Sequence, residues 1–219
     1  MDSYLERARS TLLTQKSLAQ AAITLAQRDK HLAGILATFG HPPLWRRPTG
    51  FPTLVRIILE QQVSLGSAAA MFDRLTTSIN PFVPERFRQL GESHLRSFGV
   101  TRQKAAYLLH LSSAIAEGKL NLAQLNRMSD ADAKLELMRI KGIGSWSADV
   151  YLLMAMRRAD VWPAGDLALA VAVRDLKGLP IRPGPEVLEQ LAESWRPHRA
   201  VAARMLWQYY LRPKTKAIR

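Results

Sequence analysis

The chain has 219 residues, with 31 lysines and arginines against 18 aspartates and glutamates, and no cysteine. That length buries a sizeable core without covalent staples, and a formal charge of +13 selects a polyanionic partner, nucleic acid ahead of an anionic membrane surface. The lack of cysteine excludes disulfides, thiolate zinc sites and a cysteine-ligated iron–sulfur cluster, and no apolar run approaches the ~20 residues that span a bilayer.

Residues 1–9 mix charges and lack the basic start, apolar stretch and cleavage site of a secretory signal, which predicts an intracellular protein. Residues recur at three- and four-residue spacing, as in Leu18, Ala22 and Leu25 and in Leu54, Ile57, Ile58, Gln61 and Leu65. No segment alternates as a half-buried strand would, so the expected fold is all-α. Helix starts are marked at Asp29, at Thr101 and at Ser129, the last followed by Asp132 as in a capping box with Asp in place of Glu. HPPLWRRPTGFP at 41–52 is the clearest break and is expected to connect two lobes of a single domain. NPFVP from Asn80, GLPIRPGP from Gly178 and the tail from Arg212 are lesser breaks. GVTRQKAAYLL from Gly99 echoes GIGSWSADVYLL from Gly142, either as a second, degenerate hairpin or as ordinary helical patterning.

The most distinctive segment is MRIKGIGSWSAD at 138–149. Ile140, Ile143, Ala148 and Leu152 read as apolar anchors of two short helices, and Gly142 and Gly144 interrupt them where a tight hairpin needs backbone freedom. Glycines let the main chain approach a ligand closely, and the N–H groups opening a helix at Ser145 carry partial positive charge. Lys141, Gly142, Ile143, Gly144 and Ser145 are therefore the expected dock for a phosphate, with Lys141 equally readable as a solvated surface lysine. WPAGD follows, and its Asp166 precedes LALAVAV, where it is well placed as a helix N-cap. A carboxylate at that position is held ionised by the nearby N–H donors. Asp149 and Asp175 are the nearest competing carboxylates, and Asp149, inside the helical pattern from Ser145, is expected at the surface.

A helix, a GIG hairpin, a second helix and a downstream Asp together resemble the helix-hairpin-helix DNA glycosylase superfamily, and within it the bacterial 3-methyladenine glycosylase II type. The resemblance covers residues 18–211 and is strongest over 129–169. It implies a compact two-lobed helical fold without an N-terminal β domain, with the helix-hairpin-helix at 130–157 and with Asp166, the catalytic residue, and Trp207 in a cleft between lobes. Trp146 stands where bifunctional members carry a nucleophilic lysine, which implies a monofunctional enzyme that hydrolyses the N-glycosidic bond. Excision from duplex DNA requires the damaged nucleotide to leave the stack. ILEQQVS at 58–64 resembles the segment that fills the gap and puts Gln62 at the wedge position, its rival reading being a polar site on an amphipathic helix. Trp207, Trp146, Val150 and Leu167 match the base pocket, with Val150 and Leu167 aliphatic where better-known relatives are aromatic, and core packing is the rival for Trp207.

The same resemblance implies a bound Na or K ion on the backbone carbonyls of Met138, Ile140 and Ile143, and no organic cofactor. Alkylated purines of the 3-methyladenine and 7-methylguanine class are the implied substrates, in double-stranded DNA and in base excision repair, because a positively charged base is already a good leaving group. A monomer is expected, cytoplasmic and nucleoid-associated if bacterial, with no membrane partner. Two alternatives stand beside this reading. One is a non-catalytic DNA-binding module, which has no use for Asp166. The other is a glycosylase for deaminated or oxidised bases, for which only Gln61, Gln62, His110 and His198 offer acid or hydrogen-bond assistance.

Overall fold

The structure, a computed structural model, describes residues 12–212. The opening segment 1–9 and the tail beyond Arg212 lie outside them. Among the described residues there are eleven α-helices and one 3₁₀ turn, with a single isolated bridge between Leu12 and Arg158 and no strand. None of these helices is long and apolar enough to cross a membrane. The chain divides into two units, one of Met1–Arg46 with Arg157–Arg219, the other of Arg47–Met156.

The first unit opens with α1 (Gln15–Arg28) and α2 (Lys30–Phe39). Thr14 caps α1 through the Ser17 N–H, and the apolar stripe of Leu18, Ala21, Ala22 and Leu25 is buried. Asp29 ends α1 and caps α2, accepting the His31 and Leu32 N–H groups at 2.8 and 3.2 Å.

The second unit holds α3 (Phe51–Glu60), α4 (Leu65–Ser78), α5 (Pro84–Ser97), α6 (Arg102–Ala116), the 3₁₀ turn Gln124–Arg127, α7 (Asp130–Met138) and α8 (Ser145–Met154). Helix α3 is its core, burying Leu54, Val55, Ile57, Ile58 and Leu59, and it packs on α4, α6 and α8. Its start is fixed by the Gly50 N–H, which donates to the buried Tyr151 hydroxyl at 3.0 Å. Phe87 meets Phe51 and Phe82 edge-on at 5.0 and 4.9 Å, and Phe51 and Phe82 are tilted to each other at 6.0 Å. The GVTRQKAAYLL segment is a helical turn-helix: α5 ends at Ser97, Gly99 turns the chain at φ +85°, and Thr101 caps α6. All four predicted anchors of the GIG segment, Ile140, Ile143, Ala148 and Leu152, are buried.

The chain then returns to the first unit as α9 (Leu167–Lys177), α10 (Pro185–Glu193) and α11 (Arg199–Tyr210). Helix α11 is buried along almost its whole length, and its small Ala200, Ala202 and Ala203 let α1, α2 and α9 pack closely around it. Arg204, fully buried on α11, donates to the carbonyls of Leu44 and Ala200, both at 3.0 Å, and burial pushes its pKa down to about 10.

Two expectations change. Ser129 does cap α7, but Asp132 accepts the Ser129 hydroxyl at 2.7 Å instead of the backbone N–H, because Asp is one methylene shorter than the Glu of a full capping box. Asp149 is not at the surface: it is 2 % exposed, because α7 packs on α8 and places Lys134 Nζ 2.8 Å from its carboxylate, with the Ser145 hydroxyl at 3.3 Å.

Candidate functional site

Asp166 caps α9. Its Oδ1 accepts the Leu169 N–H at 3.0 Å and, from α11, the Trp207 indole N–H at 3.1 Å, and the residue is 8 % exposed. The sequence makes this local geometry. Pro163 O accepts the Asp166 N–H at 2.9 Å, closing a turn through Ala164 and Gly165, and α9 starts at the next residue. Trp207 is itself buried, with its ring edge-on to Trp45 at 6.4 Å. Two N–H groups from different helices thus hold the same carboxylate oxygen.

The first unit contains a second copy of this arrangement. Asp29 caps α2 and accepts the Trp195 indole N–H at 3.0 Å, which with the helix amides outweighs the opposing effect of burial and lowers its pKa. A cap joined to a tryptophan is thus a structural device that this unit uses twice. What separates the two is space. The depression beside Asp29 holds about 10 Å³, whereas Asp166 lies on the wall of a cavity of about 590 Å³. Leu167, 58 % exposed, also lines it, as do Ile181, Arg182 and Pro183 and the small Gly165 and Ala170. Asp175, the other sequence candidate, is ion-paired to its neighbour Arg174 at 2.7 Å.

In the second unit the GIG turn joins α7 to α8. Lys141, Gly144 and Ser145 are exposed, and Ile143 is buried and pins the turn to the core. Gly144 is the N-cap of α8 and supplies no capping side chain, so the first amides of that helix are presented at an exposed turn. Gly142 has φ +97°, and a Cβ there would overlap the Tyr107 ring, so only glycine fits. A side chain at Gly144, by contrast, would meet open space. Of the remaining candidates in this unit, Trp146 is half-buried on the first turn of α8 and Val150 is 2 % exposed in the core.

Gln62 is exposed, with φ +56°, in the loop that leaves α3. It is not on a helix, which removes the rival reading of a polar position on an amphipathic helical face. Its neighbour Gln61, expected inside a helical repeat running to Leu65 and as a hydrogen-bond donor to a base, instead ends α3. In the structure its amide donates to Gly142 O and to Ser147 Oγ, both at 2.8 Å, and so ties the loop to the hairpin. Tyr107, behind Gly142, carried no functional signal in the sequence at all. The carbonyls of Met138, Ile140 and Ile143 are neutral oxygens, the donor type that a hard cation takes. Ile140 O accepts the Ile143 N–H at 2.9 Å.

The family model of the HhH-GPD superfamily base excision DNA repair proteins matches residues 55–197, and the chain belongs to that superfamily. Over 199 residues it is 28 % identical to DNA-3-methyladenine glycosylase 1 of Schizosaccharomyces pombe, an alignment that covers 88 % of this chain and 87 % of that protein. A putative DNA-3-methyladenine glycosylase of Bacillus subtilis is 26 % identical over 185 residues, 81 % of this chain, and the chain spans 64 % of that protein's length. Among solved structures, the S. pombe 3-methyladenine DNA glycosylase in complex with abasic DNA superposes with a TM-score of 0.79 at 27 % identity, over 86 % of this chain and 95 % of that one. A DNA-3-methyladenine glycosidase of Bacillus halodurans gives 0.74 at 27 % identity, over 87 % and 89 %.

Proposed function

We propose that this chain is a monofunctional DNA glycosylase that hydrolyses the N-glycosidic bond of alkylated purines, the 3-methyladenine and 7-methylguanine class, in duplex DNA. The observation that carries the reading is Asp166, a capping carboxylate fixed by two N–H donors on the wall of a cavity of about 590 Å³. A fixed negative charge stabilises the sugar cation that develops at C1′ as the base departs. The bond from C1′ to the purine nitrogen breaks with its electron pair passing to the base, which neutralises the charge that alkylation placed there. Water then adds at C1′ and releases a proton, leaving an abasic site.

The names of the relatives support this substrate class, and the abasic DNA bound to the S. pombe protein is the product of such a reaction. Trp146 carries no amine, which supports hydrolysis without strand cleavage. The exposed amides at 144–145 and Lys141 would hold a phosphate, and a Na or K ion on the Met138, Ile140 and Ile143 carbonyls would supply positive charge to that turn. We read the protein as a monomer acting on DNA in the cytoplasm, on the nucleoid if bacterial.

The test is incubation with methylated duplex DNA, identification of the bases released, and alkali treatment of the product. Release of 3-methyladenine and 7-methylguanine, with strand breaks only after alkali, is the expected result. Breaks without alkali contradict the monofunctional assignment, and DNA binding without base release leaves the non-catalytic module.

A further inference from the structure

The loop that carries Gln62 and the GIG hairpin are parts of one braced assembly. Gln61 is the C-cap of α3, immediately before Gln62, and its half-buried side-chain amide spends both of its N–H groups on the hairpin region, one on the Gly142 carbonyl and one on the Ser147 hydroxyl, each at 2.8 Å. Helix α6 braces both partners from behind. Its Lys104 ammonium, buried, donates to Leu59 O at 2.7 Å in the last turn of α3, where a cation suits the negative end of the helix dipole. One turn further along, Tyr107 packs on the face of Gly142 that has no side chain, and its hydroxyl is held by Gln103 at 2.8 Å. The end of α3, the turn of the hairpin and α6 therefore form a triangle, and Gln61 is the side that joins the first two directly. The exposed residue at the free corner, Gln62, holds a positive φ of 56° that L residues seldom adopt, so the loop tip keeps its shape only while its flanks are fixed.

We propose that Gln61 is a positioning residue that sets the tip at Gln62 in register with the phosphate-binding turn, so that gripping the strand and entering the base stack are a single rigid placement. The inference rests on the glycosylase reading above. The hairpin fixes where the backbone of the bound strand lies, and Gln61 fixes how far from that backbone the tip stands. A base already outside a stack has no gap to be filled, so loss of the Gln61 bonds acts on extrusion from duplex and not on bond cleavage.

Single-turnover excision of 7-methylguanine is measured from duplex and from single-stranded DNA of the same sequence, for the parent protein, Gln61→Leu and Ser147→Ala. Gln61→Leu is expected to lower the duplex rate at least about tenfold while the single-strand rate holds, and Ser147→Ala, which removes one of the two bonds, to shift the ratio less in the same direction. Equal losses on both substrates, or an unchanged duplex rate, overturn the proposal. If Gln61→Leu does not fold, the duplex-to-single-strand ratio of Ser147→Ala decides alone, and an unchanged ratio overturns it. A second readout needs no chemistry: 2-aminopurine placed opposite a tetrahydrofuran abasic analogue in duplex reports local unstacking by fluorescence. A smaller rise with either variant than with the parent supports the proposal even if the parent releases no base, an outcome that would instead defeat the glycosylase reading. An identical rise counts against it.

Discussion

The Trp207 indole N–H and the Asp166 carboxylate, 41 residues apart in sequence, meet at 3.1 Å inside one unit of the fold. A hydrogen bond to a charged group contributes about 1.5–3 kcal/mol, and here that energy is spent on the direction of a carboxylate that borders a cavity. Trp207→Phe keeps an aromatic ring and removes the donor. Excision is expected to fall about 10- to 100-fold with DNA affinity unchanged, measured by single-turnover kinetics beside equilibrium binding. Wild-type excision in Trp207→Phe would mean that the indole N–H does not orient Asp166 for the reaction.

Asp29 serves as the internal comparison. Asp29→Ala removes a cap and the Trp195 bond, and its expected cost is about 1–2 kcal/mol of stability at neutral pH with no change in excision. The pH dependence follows from the sign of its shift. The folded pKa lies below the ordinary 3.8, so the contribution of the carboxylate is fully present above 3.8 and is lost as the pH falls through the folded value. Thermal melts of the two proteins should thus converge in acid below pH 3.8. A gap that stays constant into acid would show that the charge of Asp29 contributes nothing.

Gly142 and Gly144 look equivalent in the sequence and differ in the structure. Gly142→Ala forces a Cβ into Tyr107 at positive φ and is expected to cost about 2 kcal/mol or more. Gly144→Val projects into open space, so the protein should fold and bind DNA more weakly whatever its sequence. Chemical denaturation and salt-dependent binding check the pair. Unaltered affinity in folded Gly144→Val contradicts the phosphate dock.

Most of the local structure was legible because it depends on neighbours in sequence. The caps at Asp29, Thr101, Ser129 and Asp166 follow from residue type and position, and the breaks at Asn80 and Gly178 follow from proline and glycine. What escaped depends on contacts between distant segments. Asp149 reads as a surface residue until α7 brings Lys134 over it. The Gln61 bonds span 81 and 86 residues, and no local pattern marks them. Trp207 carried an ambiguous signal, because a tryptophan on a buried helix and one holding a carboxylate look alike until the partner is known.

Asp166→Asn tests the central claim most directly. Asn caps a helix about as well as Asp, and its side-chain oxygen can accept the Leu169 and Trp207 N–H groups, so the fold and DNA binding should persist while the negative charge is gone. Single-turnover release of 7-methylguanine from duplex DNA is expected to fall by about 10²–10³ with the dissociation constant for abasic-analogue duplex little changed. Release at the parental rate by a folded Asp166→Asn protein would contradict the account.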